Sequence, residues 1–264
     1  MKEIKHISYS YLHVFTCPYA AFLRYEAGIR GKTTGPLALG NAVHYALEMG
    51  HKQPSWVLDF VGKTFLKEYN RIIDEEEVFI TFPKMKKAQS DGLDMLERFT
   101  HDIETGKISA KPFAVEKEFK LPFEDEIVIV GKIDRVDVED DEYIITDYKS
   151  GSTEPTQWFL DHDLQFTTYA WACLQLFGKL PKRLVWHHLR NGKLIETTRT
   201  MEDIEQLMHL LHSAIVMNNQ GIRYRVYHSQ VCKWCDYAGP GKECEDKELE
   251  KELLQQRQEL LNAS

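Results

Sequence analysis

Four cysteines stand at opposite ends of this 264-residue chain: Cys17 near its start, and Cys232, Cys235 and Cys244 more than two hundred residues later. The thiolates of a Cys-x-x-Cys pair share one turn and converge on one ion. Cys244 follows after eight residues, in a loop whose Gly239-Pro240-Gly241 can fold back to the same point. With Cys17 as fourth ligand, one closed site ties the two ends together, and any fold must bring those ends side by side. The fifth cysteine, within Ala172-Cys173-Leu174, reads as a buried core thiol. The opening MKEIKHISYSYLHVF has no long apolar run followed by a small-residue cleavage site, so it is not read as a secretory leader. The cysteines therefore speak for metal ligation in a reducing, cytoplasmic (intracellular) setting rather than for a disulfide framework.

Between the cysteines the hydrophobic pattern switches back and forth between helical and strand periods. Ser8 or Ser10 can cap a short helix through Phe15, and Pro18 suits the first turn of a second, reaching about Tyr25. After the glycine-bearing loop Gly28 to Gly35, helical periodicity runs over Leu37–Met49, Trp56–Ile73 with Ser55 as cap, and Lys84–Thr105. Period-two alternation then predicts strands over Phe113–Leu121, Glu126–Val138 and Tyr143–Lys149. Asp163–Phe177 is helical again, and Asn191-Gly192 between Arg183–Leu189 and Leu194–Thr200 predicts a two-residue hairpin turn. Thr200, with Asp203 three residues on, opens a helix to about Asn219, and an acidic helix is expected at the end. The expected fold is α/β: one domain with a mixed central sheet flanked by helices. Residues 1–110 form its helical N-terminal part, 111–200 its core, and 201–264 a helix and cysteine-bound cap.

Asp147 and Lys149 are two apart on a predicted strand, so their side chains leave the same face. Asp134 lies on the preceding strand, and hairpin pairing brings it beside Asp147, within reach of one divalent cation. Oxygen ligands suit Mg²⁺ or Mn²⁺. Hydrolysis of a phosphodiester needs a metal to polarise the phosphoryl oxygen and activate water, plus a cation for the developing charge. Lys149 is placed for the latter. A lone Asp-x-Lys is commonplace, but here apolar Ile144-Ile145 precedes it, and buried strands do not carry charge without cause. The net charge of −8 argues mildly against a phosphate-binding surface. Much of that excess is local to Glu245, Asp246, Glu248, Glu250, Glu252 and Glu259, while Lys84-Met85-Lys86-Lys87 and Arg223-Tyr224-Arg225 remain basic. No stretch of about 18 apolar residues occurs, so no membrane partner is expected.

Gly131-Lys132-Ile133-Asp134-Arg135-Val136-Asp137 and Ile145-Thr146-Asp147-Tyr148-Lys149-Ser150-Gly151 resemble the core of the PD-(D/E)XK nuclease superfamily in its RecB-like branch. Gly40-Asn41-Ala42-Val43-His44 resembles that branch's early histidine helix, and Gln165-Phe166-Thr167-Thr168-Tyr169 its Gln-x-x-x-Tyr helix. The resemblance implies a metal held by His44, Asp134, Asp147 and the backbone carbonyl of Tyr148, with Lys149 catalytic and Gln165 and Tyr169 orienting it. It also implies a glutamate ahead of the Gly-x-Ile-Asp strand; Glu116 and Glu118 share a predicted strand face, and Glu116 is favoured. CRISPR-associated RecB-like exonucleases and the AddB nuclease carry one N-terminal and three C-terminal cysteines around a [4Fe–4S] cluster. That implies a cluster on Cys17, Cys232, Cys235 and Cys244, although the eight-residue last gap is longer than usual and leaves Zn²⁺ as an alternative. The implied activity is a Mg²⁺/Mn²⁺-dependent DNA exonuclease acting on single-stranded ends, with recombination, repair or CRISPR adaptation proteins as implied partners. A non-catalytic nucleic-acid-binding subunit and a zinc-stabilised scaffold are the rival readings; the intact Asp134, Asp147 and Lys149 set speaks against the first.

Overall fold

The structure, a computed structural model, describes residues 6–124, 126–226, 232–233, 235–238, 242–244, 255 and 259. The expected acidic helix falls almost wholly outside them, as does the Gly239-Pro240-Gly241 loop. The chain forms two compact units: Met1–Gly31 with Lys120–Gly131 and Glu205–Ser264, and Lys32–Phe119 with Lys132–Ile204.

The second unit holds a helical layer and most of a mixed sheet. Its helices α3 (Gly35–His51), α4 (Leu58–Glu75) and α5 (Phe82–Glu104) form where helical periodicity predicts them. Ala38, Leu39, Ala42, Val43, Ala46 and Leu47 give α3 one apolar stripe, which buries against Val61, Phe65, Tyr69 and Ile72 of α4 and Met95, Leu96 and Phe99 of α5. Each large side chain so buried contributes roughly 1.5–3 kcal/mol. Gly92 is needed for this packing, because a Cβ there would lie 2.1 Å from Phe65 Cζ. Ser55 does not cap α4: Val57 holds that position, without a side-chain hydrogen bond. The helix starts two residues later than predicted.

The strands are β2 (Ala114–Glu124), β3 (Ile127–Glu139), β4 (Glu142–Lys149), β5 (Arg183–His188) and β6 (Lys193–Thr197). Within this unit β3 pairs antiparallel with β4, β4 parallel with β5, and β5 antiparallel with β6, while β2 pairs with β3. Helix α7 (Leu164–Phe177) is capped by Asp163, whose carboxylate accepts from the Phe166 amide. A short α6 (Gln157–Asp161), capped by Thr156, was not foreseen, because five residues hold too little periodicity to read. The β5–β6 turn is longer than the two residues predicted. Asn191 Oδ1 accepts from the Lys193 amide, and of that Asn-Gly pair only Gly192 is left-handed, at φ 70°.

In the first unit α1 (Tyr9–Phe15) and α2 (Pro18–Ala21) follow the predicted helices, and α2 runs on through a π-helical turn over Phe22–Glu26. Ahead of them lies β1 (His6–Ile7), in a segment predicted to open on a helix; it pairs parallel with Val128 and Ile129 of β3. Two residues are too short for alternation to show. Helix α8 (Met201–Asn219) opens on the predicted capping box: the Thr200 amide donates to Asp203 Oδ2 at 2.7 Å, and the Asp203 amide to Thr200 Oγ1 at 3.3 Å. No helix among the described residues is long and apolar enough to cross a membrane.

Candidate active site

Strand β4 presents two chemistries because its side chains alternate. Tyr148 points toward α5, where its ring meets Phe99 edge-on, with centroids 5.5 Å apart. Asp147 and Lys149 leave the other face, toward α7. The antiparallel register pairs Arg135 with Thr146, and its next step sets Asp134 opposite Asp147. Asp134 Oδ2 accepts from the Tyr148 amide at 2.8 Å, which ties the two strands at the site.

His44, on α3, closes the site from the helical layer. Its Nε2 donates to the Tyr148 carbonyl at 2.9 Å, and its Nδ1 lies 3.4 Å from Asp134 Oδ2. Glu116 reaches the same point from β2. Its backbone is left-handed, at φ 46°, within an otherwise extended strand. Such a backbone costs a non-glycine residue on the order of 1–3 kcal/mol. It also breaks the strand's alternation, so Glu116 is partly buried at the site while Glu118, two residues on, is exposed. One ligand atom each from His44, Glu116 and Asp134 lies within 4.8 Å of the others. Asp147, expected among the metal ligands, stands beside this trio with its carboxylate engaged by Lys149 and Gln165.

That engagement forms a second linked group. Lys149 Nζ lies 2.6 Å from Asp147 Oδ2 and donates to Gln165 Oε1 at 2.9 Å. Gln165 Nε2 in turn contacts Asp147 Oδ1 at 2.9 Å and the Tyr169 hydroxyl at 2.8 Å. Gln165 and Tyr169 are one turn apart on α7, so a single helix face supplies both. Beneath Lys149, the Trp186 ring centroid lies 5.2 Å from Nζ. Two participants were missed in the sequence, Trp186 and Lys132. Lys132 Nζ pairs with Glu116 Oε2 at 2.5 Å. Its place two residues before Asp134, on the same strand face, was the signal that could have found it.

The electrostatics are those of crowded carboxylates. Burial raises the Asp147 carboxyl to about 6, and Asp134 adds to the rise, against the pull of Lys149. Glu116 is likewise pushed up, by burial first, with Asp134 contributing repulsion. Burial also disfavours charge on His44 and Asp134, but their mutual attraction wins: the imidazole rises to about 9 and Asp134 stays below the usual carboxylate range. Buried like charges that repel one another, joined by an imidazole and a backbone carbonyl, suit a divalent cation, which would neutralise the repulsion. Oxygen-rich ligation with one nitrogen fits Mn²⁺ or Mg²⁺.

In the first unit Cys17, Cys232, Cys235 and Cys244 line one small cavity, together with Tyr19, Leu23 and Tyr237. Cys17 holds the N-cap position of α2, and the Cys244 amide donates to the Tyr237 carbonyl at 2.9 Å. Burial raises the thiols of Cys235 and Cys244, and the neighbouring cysteines add to the rise. Four cysteines lining one cavity offer a donor set that fits a soft metal or cluster. Cys173 lies apart, fully buried in α7, its thiol pushed up to about 12 by that burial.

The chain is similar to a solved structure described as "Crystal structure of SSO0001", with 15% identity over 92% of this chain and 89% of that one, at a TM-score of 0.38. No curated protein matches it. The family model described as the PD-(D/E)XK nuclease superfamily matches residues 6–239. That span takes in the His44 helix, the Asp134 and Asp147-x-Lys149 strands, the Gln165 helix and three of the four clustered cysteines, and the chain belongs to the PD-(D/E)XK nuclease superfamily.

Proposed function

We propose that the protein is a RecB-like, Mg²⁺- or Mn²⁺-dependent DNA exonuclease that hydrolyses phosphodiester bonds at single-stranded ends. The observation that carries this reading is the Lys149–Asp147–Gln165 group standing beside the His44, Glu116 and Asp134 trio. His44, Asp134, Asp147 and the Tyr148 carbonyl would hold the cation, as the resemblance implies, and the position of Glu116 beside His44 and Asp134 adds its carboxylate to that set. A divalent cation bound there supplies Lewis-acid polarisation of the phosphoryl oxygen and a lowered pKa for attacking water. Lys149 supplies the positive charge that the phosphoryl oxygens need as the transition state forms, held in position by Asp147 and Gln165. Gln165 keeps that lysine from rotating away, and Tyr169 anchors Gln165 in turn. Lys132 offsets the charge of Glu116 until a cation does.

A [4Fe–4S] cluster on Cys17, Cys232, Cys235 and Cys244 belongs to the same proposal. What supports this reading is that all four cysteines line one cavity, two of them from a Cys-x-x-Cys pair; four thiolates suit Zn²⁺ as well, which stays the alternative.

The deciding experiment incubates the purified protein with end-labelled single- and double-stranded DNA, and with RNA of the same sequence, in Mg²⁺, Mn²⁺ or EDTA. Release of label from single-stranded DNA ends, with Mg²⁺ or Mn²⁺ but not in EDTA, is expected. Cleavage of circular single-stranded DNA at the same rate would overturn the exonuclease assignment, and no cleavage of any substrate would overturn the nuclease reading.

A further inference from the structure

A cavity of about 390 Å³ opens in the second unit beside the end of β4, in the size range of ligand pockets. One wall is Ser150 to Ser152, the residues that follow Lys149. Another is the start of α3, at Gly35, Pro36 and Leu39, on the helix that carries His44. The two walls are in close contact: a Cβ on Gly40 would lie 3.0 Å from Ser150 Oγ. The cavity is therefore continuous in the chain with the candidate active site on both of its sides.

Its chemistry is divided. Leu39, Ile80 and Ala88 form an apolar wall, while Lys84, Lys87 and Arg190 bring three cations. Lys87 and Arg190 share a single carboxylate, Asp91, at 3.0 and 2.9 Å, so the cavity keeps an excess of positive charge. Those two pairings also hold Asp91 below the usual carboxylate range, although its burial works against them. Arg190 is fixed to the strand end, its Nε donating to the Ser150 carbonyl at 2.8 Å. Helix α3 begins at this cavity; its cap residue Thr34 makes no side-chain hydrogen bond to the first turn, in which Pro36 has no amide N–H and Gly35 and Leu37 have one each. On the segment that carries Ile80 and Lys84, Phe79 and Phe82 are 98% and 66% exposed. Cations and helix amides suit a phosphate, an apolar wall suits a base, and exposed rings suit the faces of further bases. Paired bases in a duplex hide those faces.

We infer that this cavity is the subsite for the nucleotide next to the scissile phosphodiester in an unpaired strand, an inference that rests on the nuclease reading above. Lys84, Lys87 and Arg190 hold its phosphate, the Leu39–Ile80 wall takes its base, and Phe82 stacks the next base along.

The test measures equilibrium binding of a short fluorescein-labelled oligothymidylate in EDTA, where no cleavage occurs, as a function of salt. Lys84→Ala/Lys87→Ala is expected to raise Kd at least about tenfold and to lower the log–log salt slope by about 0.7 for each phosphate that is no longer neutralised. Phe82→Ala is expected to raise Kd about fivefold or more with an unchanged slope. These side chains are exposed, so the melting temperatures of the variants should match wild type, which separates weakened binding from impaired folding. Unchanged Kd and slope in the double lysine variant would overturn the subsite while leaving the nuclease reading intact. An equal loss of affinity from Phe82→Ala on a blunt duplex would overturn the assignment to an unpaired strand. Lysine-dependent binding by a wild-type protein that cleaves nothing in Mg²⁺ or Mn²⁺ would sink the nuclease reading and keep the strand site.

Discussion

Lys149 Nζ sits 2.6 Å from Oδ2 of Asp147, two residues earlier on the same strand, and Gln165 contacts both side chains. A lysine so held is aimed before substrate arrives. Lys149→Ala should lower kcat by about 10²–10³, the scale for one preorganised charge-stabilising donor, with little change in Mn²⁺ affinity. Gln165→Ala should lower kcat less, because the lysine remains but is no longer steered. Single-turnover cleavage of end-labelled DNA, paired with calorimetric Mn²⁺ binding, checks both; a wild-type rate in Lys149→Ala would refute the role given to this group.

The His44, Glu116 and Asp134 trio leads to a different readout. His44→Ala and Glu116→Gln should each weaken Mn²⁺ binding by about tenfold or more, since loss of a mere supporting residue already costs about that much. Excess Mn²⁺ should restore part of the activity. Glu118→Gln, altering an exposed carboxylate, should bind Mn²⁺ like wild type. If Glu116→Gln and Glu118→Gln were equal in calorimetry, Glu116 would not be a ligand.

Acid stability follows from two histidines held neutral behind the site. Burial lowers His51 to about 4 and His187 to about 3, with Arg135 adding repulsion to both and Lys107 to His187. Unfolded histidine titrates near 6.5, so between 6.5 and these values the unfolded chain binds the extra protons. The stability they provide is present in full above pH 6.5 and is lost as pH falls toward 4 and then 3, at about 1.4 kcal/mol per pH unit for each proton. His51→Gln/His187→Gln should flatten the fall in melting temperature between pH 6.5 and 4. An identical slope in the double variant and the wild type would show that other groups govern acid unfolding.

The cysteine cavity makes Cys17 and Cys235 equivalent despite their separation in sequence. Cys17→Ser and Cys235→Ser should both lose bound iron and sulfide, lose visible absorbance and melt earlier, because a group bound only by the folded state stabilises it by its binding free energy. Cys173→Ser should retain all of them. Iron and sulfide analysis of the three variants is the measurement, and wild-type iron in Cys17→Ser would remove Cys17 from the ligand set.

What the sequence determined by itself was local and periodic. The α3 stripe, the alternation of β3 and β4 and the Thr200–Asp203 box all arise between residues a few positions apart, where side-chain direction follows from backbone period alone. Asp147 and Lys149 share a face for the same reason, and Gln165 and Tyr169 share a helix face. Tertiary structure decided what such spacing leaves open. Glu116 and Glu118 are indistinguishable by a period of two, and only the left-handed backbone at Glu116 turns that carboxylate to the site and leaves Glu118 in solvent. Lys132 and Trp186 meet the site through pairing across strands, which no single segment encodes. The cavity at the end of β4 is assembled from four stretches near Leu39, Lys84, Ser150 and Arg190. Its positive charge is a property of their juxtaposition, hidden in a chain whose net charge is −8. Periodicity fixes the direction of a side chain relative to its own element; which side chains meet across elements is set by long-range packing.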